Sequence, residues 1–139
     1  MIRSFVKISA LTIALGLPVY AAEPIEQNNS NTIWFENWIG LSNSMLRVVD
    51  PEGLTTSVTA EDTTPVFTLE GDDILDGVYR YELHASTDEK IKNLSYNADS
   101  TNANSTSEYQ AKPFYLTGSF VVERGVILRP EDQVLEGDE

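Results

Sequence analysis

The sequence of 139 residues contains no cysteine and only one histidine. The absence of cysteine excludes disulfide bonds, and it also excludes a lipid anchor attached to a cysteine side chain. The single histidine, His84, leaves few routes to nucleophilic catalysis, and the sequence has no Gly-x-Ser-x-Gly motif. We therefore expect that the protein is not an enzyme.

Basic residues are scarce as well. Nine Lys and Arg residues stand against 22 Asp and Glu residues, which gives a formal net charge of −13. Binding to nucleic acid or to anionic lipid depends on clustered Lys and Arg, so neither is expected as a partner. The charged partners that fit this chain are cations and basic protein surfaces.

The first 21 residues have the order of a secretory signal peptide. Arg3 and Lys7 give a positive start, and an apolar run of about ten residues follows at 8–17. This run is about half the length that crosses a bilayer, so we expect no stable membrane anchor. Cleavage after Ala21 would leave 22 acidic and seven basic residues, a formal charge of −15. The expected location is the periplasm or the exterior of a bacterial cell.

Residues 45–128 consist of short apolar runs that alternate with turn signals. The clearest run is 78–85, in which alternate residues are predicted to face inward: Tyr79, Tyr81, Leu83 and Ala85. Asp50-Pro51-Glu52-Gly53 is typical of a β-turn and predicts a hairpin between strands at 45–49 and 54–60. Shorter runs lie at 66–69, 119–123 and 126–128. The sequence predicts an all-β, antiparallel sandwich of about seven strands.

The segments around this sandwich are more polar. Residues 22–44 are predicted to form a flexible lead that carries an aromatic segment, and residues 97–110 are predicted to form a long loop. Residues 129–139 are predicted to form a solvated acidic tail.

The aromatic segment at 33–39 contains both tryptophans, Trp34 and Trp38, with Phe35 between them. Its pattern fits a strand or a helix equally well. One interpretation is that it supplies the first strand of the sandwich. In the alternative interpretations, Trp34, Phe35 and Trp38 bind a partner protein, or the two indoles stack on sugar rings.

Four carboxylates lie within seven residues of one glycine-bearing turn: Glu70, Asp72, Asp73 and Asp76. Oxygen ligands of this kind bind calcium in extracellular domains. The spacing departs from an EF-hand loop, because Ile74 occupies loop position 3, where a ligand is required, when Asp72 is counted as position 1. The alternative is an acidic turn that is simply solvated.

The run Leu75-Asp76-Gly77-Val78-Tyr79-Arg80-Tyr81-Glu82-Leu83 resembles part of an immunoglobulin-like or fibronectin-III-like domain. Such a domain occurs in the flagellar hook-capping protein and in small exported proteobacterial proteins. The resemblance covers residues 45–128, and the final run at 118–127 is similar to the last strand of that domain. It implies structural roles for Gly77 and Tyr79, with the Tyr79 hydroxyl bonded back to the backbone of the turn.

The resemblance indicates fold more than function, because unrelated functions share this architecture. We expect a non-catalytic interaction or structural module of a bacterial envelope or extracellular assembly, whose partner is another exported protein. The first alternative is a carbohydrate-binding module that uses Trp34 and Trp38. The second alternative is a calcium-binding surface domain.

Overall fold

In a computed structural model, residues 23–94 and 107–129 are described. They form eight strands: β1 (Ile25–Asn28), β2 (Thr32–Glu36), β3 (Leu41–Val49), β4 (Thr55–Ala60), β5 (Phe67–Thr68), β6 (Gly77–Lys92), β7 (Tyr109–Glu123) and β8 (Val126–Ile127). No helix occurs in these two ranges. The predicted signal peptide at 1–21, most of the predicted loop at 97–110 and nearly all of the predicted acidic tail at 129–139 lie outside the described residues.

The strands form two antiparallel sheets. The smaller sheet has the order β1-β2-β5, and the larger has the order β4-β3-β6-β7-β8. Both sheets contribute side chains to one core, so the protein is an all-β sandwich, as the sequence predicted. The described residues contain one strand more than the seven expected.

The core follows the alternation of the central strand β6. Tyr79, Tyr81, Leu83 and Ala85 are buried, as predicted, while Arg80 and His84 are exposed. Aromatic contacts join the sheets: the ring of Phe35 in β2 meets Tyr81 edge-on, with 5.6 Å between centroids. The remaining buried apolar residues of the cluster come from β2, β3, β5, β7, β8 and the residue after β5: Ile33, Leu46, Val48, Phe67, Leu69, Phe120, Val122 and Ile127.

The turn that leads into β6 has the hydrogen bond implied by the resemblance. The Tyr79 hydroxyl donates to the carbonyl oxygen of Leu75 over 3.0 Å, and the Tyr79 ring stacks on Phe120 with 5.2 Å between centroids. Gly77 has a φ of 134°, a conformation that side chains with a Cβ rarely adopt. A Cβ at this position would also lie 3.0 Å from Cγ of Pro51. Gly77 and Tyr79 therefore fix the entry of the chain into the central strand.

The prediction of a flexible lead at 22–44 was wrong for most of that segment. Ile25–Asn28 and Thr32–Glu36 form a hairpin, and β3 already begins at Leu41. The reason is that Ile33 and Phe35 fill the core and are 0% and 1% exposed. Burial of two large apolar side chains holds β2 on the sandwich, and β1 is then held by its pairing with β2 and by its contacts with the core.

The strands β6 and β7 are much longer than predicted. They pair from Gly77↔Val122 to Lys92↔Tyr109, with an irregularity between Ser86 and Lys90. Tyr109 and Gln110, which were assigned to the predicted loop, therefore belong to β7. Beyond Thr87, β6 has no partner in β3, so the two strands continue as a ribbon past the five-stranded part of the sheet.

Candidate functional site

Of the three aromatic side chains that were predicted to bind a partner, one is in the core and two are half-buried, so a partner-binding role stays a prediction for Trp34 and Trp38. Phe35 is 1% exposed, so its predicted contact with a partner was wrong. Trp38 packs against the core, and its indole nitrogen is buried without a hydrogen-bond partner among the described residues. Trp34 alternates with the buried Ile33 and Phe35 and is half-buried on the other face of β2. The two indoles therefore do not share one open platform, and a sugar-binding role for Trp34 and Trp38 stays a prediction.

The acidic turn before β6 is not organised as a metal site. Glu70, Asp72, Asp73 and Asp76 all lie at exposed positions. Within the two described ranges, no three Asp, Glu or His side chains are close enough to hold a metal ion. Asp76 instead accepts a hydrogen bond from the backbone nitrogen of Gly125 over 3.3 Å. Calcium binding at this turn stays a prediction.

His84 is exposed on the outer face of the larger sheet, where the sequence placed it. The centroid of its ring lies 4.7 Å from the ring centroid of Tyr115, its register partner on β7. The structure assigns it a cross-strand aromatic contact, an arrangement that stabilises sheets.

The hairpin between β3 and β4 is closed by a tight turn. The Asp50 carboxylate accepts hydrogen bonds from the backbone nitrogens of Glu52 and Leu54, over 2.9 and 2.8 Å. The backbone nitrogen of Gly53 donates to the Asp50 carbonyl oxygen over 3.0 Å, and that of Asp50 donates to the Leu54 carbonyl oxygen over 3.0 Å. Leu54, which the sequence assigned to the strand at 54–60, is 70% exposed because it lies in this closure rather than in the strand.

Past this turn, β4 is an open edge of the larger sheet. It pairs with β3 along its whole length, from Val49↔Thr55 to Ser44↔Ala60, and it is the last strand on that side. Among the described residues, none donates to or accepts from β4 on the side away from β3. Alternate residues of an edge strand direct their backbone N–H and C=O groups outward, which makes β4 a template for another strand.

The sequence of β4, Thr-Thr-Ser-Val-Thr-Ala, carries none of the features that usually protect an edge. It has no charge and no proline, and its register with β3 is continuous. The edges formed by β1, β5 and β8 are shorter, with four, two and two residues. Because β8 pairs only with Val122 and Glu123, the rest of β7 is also an edge, but that edge carries Lys112 and Pro113, two features that protect an edge. The β8 edge is also bonded to the turn between β1 and β2, because the Ile127 nitrogen donates to the Ser30 carbonyl oxygen over 2.8 Å.

A second feature missed by the sequence is a polar contact inside the sandwich. The hydroxyl of Tyr81 donates to Oε2 of Glu26 over 2.7 Å, across 55 residues of chain. Burial raises the pKa of Glu26 above its ordinary value of 4.5, although the hydrogen bond opposes the shift. The pKa of Tyr81 is raised by burial, by this hydrogen bond and by the Glu26 charge. The pair fastens β1 to the central strand.

The sequence contains a signal for the open edge of β4 but none for the hydrogen bond between Tyr81 and Glu26. The run from Leu54 to Ala60 is visibly free of charge, yet only the sheet order shows that its strand lies at an edge. Glu26 stands among polar residues, and its inward position follows from its pairing with Phe35.

Comparison with protein-family models, with curated proteins and with solved structures gave no match. Within the described ranges, no helix is long and apolar enough to cross a membrane.

Proposed function

We propose that the protein is a non-catalytic, exported interaction or structural module of a bacterial envelope or extracellular assembly, and that it joins its partner by strand addition at β4. The observation that carries the proposal is the unprotected edge: six residues without charge or proline, in continuous register with β3. A partner strand at such an edge gains main-chain hydrogen bonds, and the side chains of β4 supply selectivity.

The strand order supports the resemblance to immunoglobulin-like and fibronectin-III-like domains. The first, second and fifth strands share one sheet, and the fourth, third, sixth and seventh share the other, which the two-residue eighth strand extends. Strands A, B and E and strands C′, C, F and G are divided in this way in immunoglobulin-like sandwiches. The hydrogen bond of Tyr79 at the start of the sixth strand supports the same assignment. In this frame, β4 is strand C′ and its outer edge is the recruiting surface.

The proposal can be tested by placing a charge on the edge. Ser57 is an exposed residue of β4, and Thr117 is an exposed residue of β7 on the outer face of the same sheet. Ser57→Lys puts the kind of charge that natural edges use against pairing into the centre of β4. Thr117→Lys is the matched control, because it adds the same charge to the same outer face of the sheet at a position away from β4.

The measurement is hydrogen exchange at the β4 amides in the assembly isolated from the native host. We expect protection of residues 55–60 relative to the purified protein, retained in Thr117→Lys and lost in Ser57→Lys. Equal exchange of the β4 amides in the free and the assembled protein would refute strand addition. Equal protection in both variants would refute it as well.

A further inference from the structure

We propose that β4 accepts an extended segment with an uncharged, strand-forming centre of about six residues and with Lys or Arg at both ends. This inference rests on the proposed function, because it names the chemistry of the partner at the same edge. The centre must match the six residues of β4, which span about 20 Å at 3.2–3.4 Å per residue.

Acidic residues stand at both ends of this uncharged strand. Asp50 and Glu52 precede it in the turn, and Glu61 and Asp62 follow it directly. Glu52, Glu61 and Asp62 are exposed, and the ion pairs of the described residues involve other acids, namely Glu82, Glu89 and Glu123. These carboxylates are therefore available to basic groups of a partner.

The basic residue that pairs with β4, Arg47, does not neutralise the acidic residues at the two ends of the strand. Arg47 of β3 is the register partner of Ser57 at the middle of β4, and its guanidinium lies 3.8 Å from the Glu82 carboxylate. Arg47 thus faces the centre of the edge and already has an acidic neighbour. A partner strand meets a neutral middle and two negative ends in either chain direction.

The same arrangement disfavours a second copy of this chain as the occupant. If two β4 strands paired antiparallel about a two-fold axis, Glu61 and Asp62 of one copy would approach Glu52 of the other. If they paired in parallel, equal charges would meet at each end. Like charges facing each other across strands destabilise the pairing, and both copies carry a large negative net charge. Charge complementarity therefore selects a basic-flanked partner over self-association.

The test uses three labelled peptides with one six-residue centre, Thr-Val-Thr-Val-Thr-Val. One peptide has two lysines at each end, the second has two glutamates at each end, and the third has the lysines but N-methyl groups on alternate central amides. Fluorescence anisotropy with the chain from residue 22 measures affinity, and hydrogen exchange locates the bound peptide. We expect the lysine peptide to bind at least tenfold more tightly than either control and to protect residues 55–60.

Charge reversal distinguishes attraction of the lysine peptide by the acidic residues at the ends of β4 from attraction by the net charge of the whole protein. The variant E52K/E61K/D62K changes the ends of β4, and E23K/E36K/E108K makes the same change of net charge at exposed acids on other strands and loops. We expect the first variant to lose the tenfold preference and the second to keep it. Thermal melting checks that both fold, and E52Q/E61Q/D62N replaces the first variant if it does not.

Other outcomes would refute either the basic flanks of the partner or strand addition at β4 itself. If the glutamate peptide protects β4 as well as the lysine peptide does, or if both charge variants lose binding alike, the basic-flank inference fails while strand addition stands. If the N-methylated peptide protects β4 as well as the lysine peptide does, strand addition fails. If no peptide protects β4, strand addition at this edge fails as well. Sedimentation of the chain as a dimer that Ser57→Lys dissociates would show a second copy as the occupant and would overturn the inference.

Discussion

Replacement of Phe35 by alanine tests whether the aromatic segment belongs to the core. Phe35 is 1% exposed and meets the Tyr81 ring edge-on at 5.6 Å. Truncation of a buried phenylalanine costs about 3–5 kcal/mol, of which the aromatic pair contributes about 0.5–1.5 kcal/mol. The half-buried Trp34 is the matched control in the same strand, and Trp34→Ala is expected to cost about 1 kcal/mol.

Urea unfolding followed by circular dichroism measures the difference. With a slope of about 1.5 kcal/mol per M, Phe35→Ala should lower the midpoint by about 2–3 M and Trp34→Ala by less than about 1 M. If Phe35→Ala does not fold, Phe35→Leu should still cost about 1–2 kcal/mol. Equal costs at the two positions would refute the conclusion that β2 completes the core.

Three further substitutions address the inner face of the central strand. Gly118→Ala should destabilise the protein by about 1–3 kcal/mol, because a Cβ there would overlap the hydroxyl and ring of Tyr81; unchanged thermal unfolding would contradict this packing. Tyr79→Phe should cost about 1 kcal/mol, because the Leu75 carbonyl loses its donor while the ring stacking remains, and chemical denaturation would detect it. The pKa of Glu26 is higher in the folded state than in the unfolded state, so the wild type loses free energy of unfolding as the pH rises through the folded-state pKa. Below about pH 4.5 Glu26 is protonated in both states, and this loss is absent. Glu26→Gln should therefore gain stability relative to the wild type between pH 4 and pH 7, and a difference independent of pH would contradict the burial of this carboxyl.

Local patterns predicted the parts of the fold that local chemistry determines. The alternation at 78–85 gave the correct inward face of β6, and the Asp50 turn gave the hairpin of β3 and β4. Both signals lie within a few residues of the structure they specify.

The features that the sequence did not predict depend on distant pairing. β1 presents Glu26 to the core, and its apolar residue Ile25 is 52% exposed, so the strand has no apolar alternation. Glu26 is accommodated because Tyr81 reaches it from the opposite sheet.

The candidate sites also depend on distant parts of the chain that a local sequence pattern does not describe. Glu70, Asp72, Asp73 and Asp76 are neighbours in sequence, but among the residues that the structure describes no three such carboxylates lie close enough to hold a metal ion, and calcium binding there stays a prediction. The exposed edge of β4 follows from sheet order alone, which a single sequence does not state.

The position of β1 has a practical consequence for recombinant work. Ile25–Asn28 complete the smaller sheet only a few residues after the expected cleavage point at Ala21. A purification tag fused directly at residue 22 would sit beside this hairpin, and trimming the chain to residue 29 would uncover the backbone of β2 along Ile33–Glu36. The shortened protein would have an unpaired strand edge at β2 that β1 otherwise covers. Aggregation of such a preparation would therefore result from the truncation.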